Sequence, residues 1–401
     1  MRQIKPAAGQ PPAQPNPPPH PTEALTTALA LALAAAVSLG LARFSYGLLL
    51  PAMRADLGWS YLLAGAMNTA NAAGYLVGAL LMPRLLARFD ARALMLCGGF
   101  GSAALLALHA GTRSDAALLL LRAATGVASS ASFVGGGLLA ARLASGAASG
   151  LGSHRSGLIL GLYYGGVGLG VIGASLLVPL FSAGAGHWPT AWLALAAAAA
   201  LLSAITARGT RHLHAPPGAA TPRERAAWAP MRWALAGYGL FGLGYIGYMT
   251  FVITLLRAQG QSTAQVTGFY CLLGVGMVTS SWLWAGLLQR HRDGRPLTQL
   301  NALLALATLL PVLSLQPLVV LASGALFGAV MLSVVASTTA LVRHNLAPAA
   351  WASGISAFTI LFAAGQIAGP SLTGWIADAA GGGAGGDARG LTRGLAVSAA
   401  V

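Results

Sequence analysis

Apolar residues run along this chain in blocks of about twenty, and charged residues fall almost entirely between the blocks. A helix that crosses a membrane needs about 20 apolar residues at ~1.5 Å of rise each, so each block reads as a span. The pattern predicts eleven spans, over 28–51, 61–82, 93–111, 116–141, 157–182, 188–207, 232–256, 263–288, 297–314, 317–342 and 353–377. Most connections are short. The longest, 208–231, contains Pro216, Pro217 and Pro222 with five charged residues, and it divides the spans into two groups. The first 22 residues hold eight prolines and almost no periodicity, the composition of a disordered tail. Small residues near Ala28 resemble a signal-peptide cleavage site, but the apolar block continues past them, so the first span reads as uncleaved. After Asp378 comes a glycine-rich stretch, and then eleven residues from Leu391 to Val401. Those reach ~16 Å against a hydrocarbon core of ~30 Å, so the twelfth helix is expected to be truncated or to lie at the surface. The expected organisation is a tail over 1–24, a six-helix half over 25–207, a cytoplasmic linker over 208–231, and a second half over 232–401 with five full spans.

Composition agrees. The 401 residues are 56% hydrophobic and 8% charged, where soluble domains carry about 25% charged residues, so the chain is an all-α integral membrane protein with the lipid bilayer as its solvent. A net charge of +15 and a pI near 11.1 suggest a nucleic-acid partner until the placement of the charges is considered. With the N-terminus inside, sixteen basic residues fall in inner loops and tails and five on the outer side, which is membrane topology with a cytoplasmic N-terminus and excludes nucleic-acid binding. Cys97 and Cys271 lie inside apolar blocks, without metal-ligand spacing, and read as packing residues.

The two groups repeat. A shift of 202 residues lays Gly40-Leu41 on Gly242-Leu243, Tyr46 on Tyr248, Gly58 on Gly260, Ser60 on Ser262, Gly74 on Gly276 and Arg88 on Arg290. Internal duplication of a membrane chain points to a transporter with its site between the halves near mid-membrane. The chemistry-bearing residues inside the spans are few. Arg43 and Arg122 are fixed charges about 10 Å below the outer ends of their predicted helices, and a charge at that depth costs at least ~2.5–3.5 kcal/mol on insertion scales. No Asp or Glu stands in the middle of a span, so an anionic ligand, water or backbone carbonyls must satisfy them. Asp115, two turns above Arg122, is the one acid placed to pair with it. Asn68 and Asn71 share a face of the second helix and read equally as interhelical hydrogen bonders. Tyr46, Tyr163, Tyr164, Tyr245, Tyr248 and Gln366 are the remaining candidates for cavity lining. His109, at the outer end of the third span, is a weak proton carrier. Gly-x-Gly-x-x-Gly patterns begin at Gly168, Gly237 and Gly242, but each lies within an apolar helix and lacks the acid that a dinucleotide site requires. No nucleophile set, zinc spacing or phosphate loop is present, so neither an enzyme nor a cofactor is expected.

Several motifs carry a resemblance. Arg122-Ala123-Ala124-Thr125-Gly126 in the fourth span, the glycine-rich Gly161 to Gly170 in the fifth, and Gly365-Gln366-Ile367-Ala368-Gly369-Pro370 with Gly374 and Asp378 in the eleventh resemble the major facilitator superfamily. Arg43-Phe44 with Tyr46, and Asn71 with Gly74-Tyr75 and Gly78, are similar to its YbfB/YjiJ-type subgroup. The resemblance implies two six-helix halves related by a pseudo-twofold axis, alternating access and a small-molecule solute. It also implies proton coupling as the usual energy source, a bacterial inner (plasma) membrane location and a monomer. The loop after the second span departs from the family pattern. Ala87 stands where relatives carry Asp, and Asp90 where they carry Gly, which leaves Arg88, Asp90 and Arg92 as an altered inner gating loop. The expected function is secondary transport of a small organic solute, anionic or zwitterionic if Arg43 contacts it. The alternative from another class is a non-transporting receptor or assembly factor built on the same fold.

Overall fold

A computed structural model describes residues 21–151, 153–182, 186–213, 229–347, 350–381 and 388–401. Among them the chain forms twelve helices and no strand: α1 (Thr22–Leu57), α2 (Tyr61–Leu86), α3 (Ala91–His109), α4 (Asp115–Leu151), α5 (Ser153–Phe181), α6 (Trp188–Gly209), α7 (Arg232–Ala258), α8 (Thr263–Arg290), α9 (Arg295–Leu313), α10 (Pro317–Asn345), α11 (Trp351–Ala379) and α12 (Ala388–Ala400). Ten of these are long and apolar enough to cross a membrane. The 26-residue α2 has the length, ~39 Å, but Asn68, Thr69, Asn71 and Tyr75 dilute its apolarity.

The duplication is visible in the backbone. Gly58 and Gly260 end α1 and α7 at φ of 68° and 80°, a left-handed conformation that costs other residues ~1–2 kcal/mol. Ser60 and Ser262 then cap α2 and α8 with the same backbone angles, their hydroxyls accepting from Leu63 N at 3.1 Å and Gln265 N at 3.3 Å. Between the caps the helices cross in the same register. Gly74 meets the carbonyl of Ala123 and Gly126 that of Asn71; 202 residues later, Gly276 meets the carbonyl of Ala325 and Gly328 that of Leu273. A side chain at any of these four glycines would occupy the space of a neighbouring backbone, and small residues at such crossings are what lets helices associate in lipid.

Within each half the packing follows the repeat: α2 with α4 and α3 with α6 in one, α8 with α10 and α9 with α12 in the other. The halves meet along two symmetry-related seams, α2 against α11 and α5 against α8. The hydrogen bonds that join them cluster away from the basic loops. Asp378 at the end of α11 accepts from Tyr61 N at 2.9 Å and Leu62 N at 2.8 Å. Thr69 donates to Ile367 O at 2.7 Å and lies 2.9 Å from the Ser371 hydroxyl. The face opposite the basic loops is thereby sealed.

Three boundaries differ from expectation. Helix α1 begins within the expected tail and runs on to Leu57, because Pro51 sits in a helix that continues past it. Residues 1–20 of the tail, and 214–228 of the linker, lie outside the described residues; the rest of the linker is the end of α6 and a short turn over Ala229–Met231. The last segment is not at the surface. Helix α12 has 13 residues and packs among α11, α7 and α9, with Ser398 bonded to Thr373 at 3.1 Å and Leu391 and Leu395 buried.

Gly126→Val and its repeat mate Gly328→Val each force a helix crossing apart. Overpacking costs typically ~1–3 kcal/mol, so each variant should melt several degrees below wild type in detergent, by thermal unfolding followed with size-exclusion chromatography. A position without neighbours, Gly237→Val, should not.

Candidate functional site

The site is built around a distortion of α1. Residues Ala36–Phe44 form a π-helical stretch, all nine buried, between two α-helical segments. Such stretches frequently mark functional sites. Where the wider π turns give way to α-helix, carbonyls lose their usual partners, and no water is present in the hydrocarbon core to replace them. Other groups serve instead. Gly40 O keeps the last π-type bond, from Ser45 N at 3.1 Å; beyond it Leu41 O accepts from Ser45 Oγ at 2.5 Å, Ala42 O from Arg122 Nη1 at 3.1 Å, and Phe44 O from the Tyr270 hydroxyl at 2.8 Å.

The two intramembrane arginines therefore differ in kind. Arg122 is saturated: besides Ala42 O it donates to Asn68 Oδ1 at 2.9 Å and, at 3.5 Å, to Met67 O, and its guanidinium lies 4.7 Å from the centre of the Tyr46 ring. Asn68 passes the link across the halves, donating to Thr250 Oγ1 at 2.7 Å, and Thr250 donates to Ile246 O at 2.6 Å. Asn71 donates to Arg122 O at 3.1 Å. The expected pairing of Asp115 with Arg122 is not made, since Asp115 instead accepts from Trp59 Nε1 at 2.7 Å.

Arg43 is the reverse case. It is 3% exposed, and its Nε and Nη2 are buried without a hydrogen-bond partner. It also lies deeper than the sequence placed it: with α1 extending to Leu57, fourteen residues further on, it is ~21 Å from that end. Around the guanidinium stand aromatic faces, Tyr75 at 5.5 Å and Phe44 at 6.0 Å. Tyr75 and Tyr245 both lie within range of its charge. Tyr245 accepts a hydrogen bond from Gln366 Nε2 and stacks on Phe241 at 4.9 Å and Phe362 at 5.5 Å. The 202-residue shift that relates the halves carries Arg43 onto Tyr245, so the two candidates occupy equivalent places on α1 and α7. Arg43 and Tyr75 thus meet from α1 and α2, and Tyr245 and Gln366 from α7 and α11, with Tyr245 joined to the first pair through the reach of the Arg43 charge.

Other sequence candidates fall elsewhere. Tyr46, Tyr163 and Tyr248 are fully buried, with hydroxyls committed to Ala64 O at 2.8 Å, Phe133 O at 2.5 Å and Ser323 Oγ at 2.6 Å, so they hold helices together rather than line a cavity. Tyr164 is 41% exposed and packs against Phe133 and Tyr163. His109 stacks on Trp192 at 4.6 Å inside the first half, with Nδ1 2.7 Å from Leu105 O. In the loop after α2, Asp90 caps α3 through Arg92 N and Ala93 N, and Arg92 reaches Ala207 O at 2.7 Å and Thr210 Oγ1 at 3.3 Å on the end of α6. Both therefore bind within their own half; Arg88 is exposed. Tyr75 was missed as a site residue. Its signal was present, one turn past Asn71 on the face that carries Asn68. In the sequence Asp378 is a motif residue only; its position at a helix end across from another helix start is set by the fold.

A twelve-helix bundle in two six-helix repeats, with a buried guanidinium left without hydrogen-bond partners on two of its nitrogens, is the architecture of a membrane transporter. The family model described as "Uncharacterised MFS-type transporter YbfB" matches residues 35–401, and the chain belongs to that family of major-facilitator transporters. No curated protein matches it. Among solved structures, a bacterial homologue of the human lysosomal transporter Spinster, inward-facing and unoccupied, superposes with a TM-score of 0.71 at 13% identity over 95% of each chain. The nucleoside transporter NupG gives 0.68 at 15% identity over 94% of this chain and 96% of its own. Tetrameric PepTSo2 gives 0.70 at 12% identity, covering 94% and 95%. These likenesses define the fold.

The two arginines should respond oppositely to neutralisation. Arg122→Gln orphans the Ala42 carbonyl and Asn68, each unsatisfied buried group costing ~1–3 kcal/mol, and should lower the thermal midpoint markedly. Arg43→Gln removes a charge that has no partner and should leave the midpoint unchanged or raise it. Asp378→Asn should loosen the sealed face, because hydrogen bonds to a charged acceptor are worth about 1.5–3 kcal/mol each. With Cys97 and Cys271 replaced by Ala and Ser371→Cys as reporter, labelling by an impermeant maleimide should rise at least several-fold in the Asp378→Asn background.

Proposed function

We propose that this protein is a secondary transporter that carries a small organic anion or zwitterion, held by Arg43, across the bacterial inner membrane by alternating access. The observation that carries the reading is the pair of atoms left free on Arg43. Nε–H and the outward N–H of Nη2 lie on one edge of the guanidinium and form the side-on fork that receives both oxygens of a carboxylate or phosphate. A desolvated cation with an unpaired fork gains far more from an anion than from a neutral solute once the site opens to admit one. The stacked Phe241, Tyr245 and Phe362, with Gln366 beside them, offer apolar contact and a polar handle to the remainder of the solute. Most ligand sites pair an apolar wall with a few placed polar groups in this way. The sealed face then corresponds to one end state, with the rocking halves exposing Arg43 to each side in turn. The basic loops support a cytoplasmic location for the N-terminus and for the face away from the seal. Binding the anion neutralises Arg43, so the loaded site is electrostatically cheaper to occlude than the empty one.

The test is binding and proteoliposome transport of matched anionic and neutral solutes by wild type, Arg43→Lys and Arg43→Gln. Loss of a charge-assisted hydrogen bond worth about 1.5–3 kcal/mol predicts that Arg43→Lys, which keeps the charge but not the fork, weakens anion binding about tenfold or more. Arg43→Gln should weaken it further, and neutral solutes should be little affected. Full activity of Arg43→Gln on every transported solute would refute the assignment.

A further inference from the structure

We infer that the face bearing the basic loops carries a specific site for an anionic membrane phospholipid, in a groove between the start of α1 and the end of α6. The groove has a volume of about 1020 Å³. Its inner wall is apolar, formed by Leu29 and Leu33 of α1, Leu169 of α5 and Ile205 of α6. Leu29, Leu169 and Ile205 are 44–45% exposed, which in a bilayer means that they face acyl chains. The mouth is cationic, with Arg208 and Arg211 at and just past the end of α6 and His212 beside them. From Glu23 at the mouth to Leu33 the groove follows ten residues of α1, ~15 Å along the helix. That length matches a head group with the upper part of its chains.

The walls of the groove are fastened to each other. Gly209 lies directly against the side chain of Ala30, and Thr206 donates to Ala30 O at 3.1 Å, which fixes α6 on α1. His212 is held by Thr27 at 3.1 Å. Among the described residues neither Arg208 nor Arg211 forms an ion pair, and one carboxylate, Glu23, shares the lining of the groove with them. Among the described residues that line the groove one positive charge is left over, which a phosphodiester monoanion balances. Cationic pockets between helices at a membrane surface select anionic head groups for this reason. The apolar wall below the arginines requires acyl chains, so a lipid fits the whole groove where a free phosphate would fill only its mouth. The site is separate from Arg43 and stands whether or not the transport reading holds.

The experiment is native mass spectrometry of the delipidated full-length chain offered equal amounts of phosphatidylglycerol and phosphatidylcholine with identical chains. Wild type should retain phosphatidylglycerol preferentially. Each arginine near a lipid surface contributes about fivefold, so Arg208→Gln with Arg211→Gln should lower the preference about 25-fold, and Arg208→Lys with Arg211→Lys should keep most of it. Arg84→Gln with Arg88→Gln, on the same face but outside the groove, should leave it unchanged. Equal retention of the two lipids by wild type would overturn the site. An equal loss from the Arg84 and Arg88 pair would do so too, since it would reduce the effect to diffuse attraction.

Discussion

Inside a bilayer the backbone has no water to fall back on, and the junction in α1 is where that constraint presses hardest on this molecule. Nine π-helical residues put Arg43 between the halves, and the return to α-helix leaves carbonyls that must be served from elsewhere. Arg122 from α4 and Tyr270 from α8 serve two of them. The donor from α4 belongs to the same half as α1, and the donor from α8 to the other half. The distortion that positions the site is therefore also a point at which both halves are fastened to α1. From there Asn68 and Thr250 extend the polar chain to α7.

Around this junction, packing is set by backbone contact more than by side-chain bulk. Lipid offers helices no hydrophobic reason to associate, so close approach through glycine supplies dispersion contact instead. The α2–α4 and α8–α10 crossings use glycines in the same register, and the α1–α5 contact brings Gly40 against Gly170 and Gly166 against Ala32. Arg43 is held in place by a scaffold with little slack, which is what allows a buried guanidinium to remain without partners of its own.

Much of the architecture was legible in the chain because membrane physics writes it in blocks: span length, loop charge and the 202-residue repeat each depend on one-dimensional spacing. The helices outran their apolar blocks at both ends, as in α1, since caps and interior prolines such as Pro51 and Pro83 were compatible with continuing. The short last helix could be counted but not placed, because its position depends on α7, α9 and α11. Side-chain roles were harder. Arg43 and Arg122 read alike, as two charges at similar depth; the acceptors that saturate Arg122, Ala42 O in the π stretch of α1 with Asn68 and Met67 O on α2, separate it from the unpaired Arg43. Tyr46 and Tyr248 were correctly matched as repeat mates, yet both hydroxyls are spent on neighbouring helices, a fact that periodicity does not carry.

The repeat has one further consequence, at the positions where it breaks. Arg43 and Tyr245 are counterparts, and Arg122 has Gly324 as its own. In a symmetric pair of separate six-helix chains every residue is present twice, facing its copy across the axis. An arginine at this place would then confront a second arginine, and two desolvated like charges repel. Joining the halves in one polypeptide removes that obligation. Each copy of the ancestral segment is free to take a different chemistry, so a single cation can stand against an aromatic wall, a combination that twofold symmetry forbids to a homodimer.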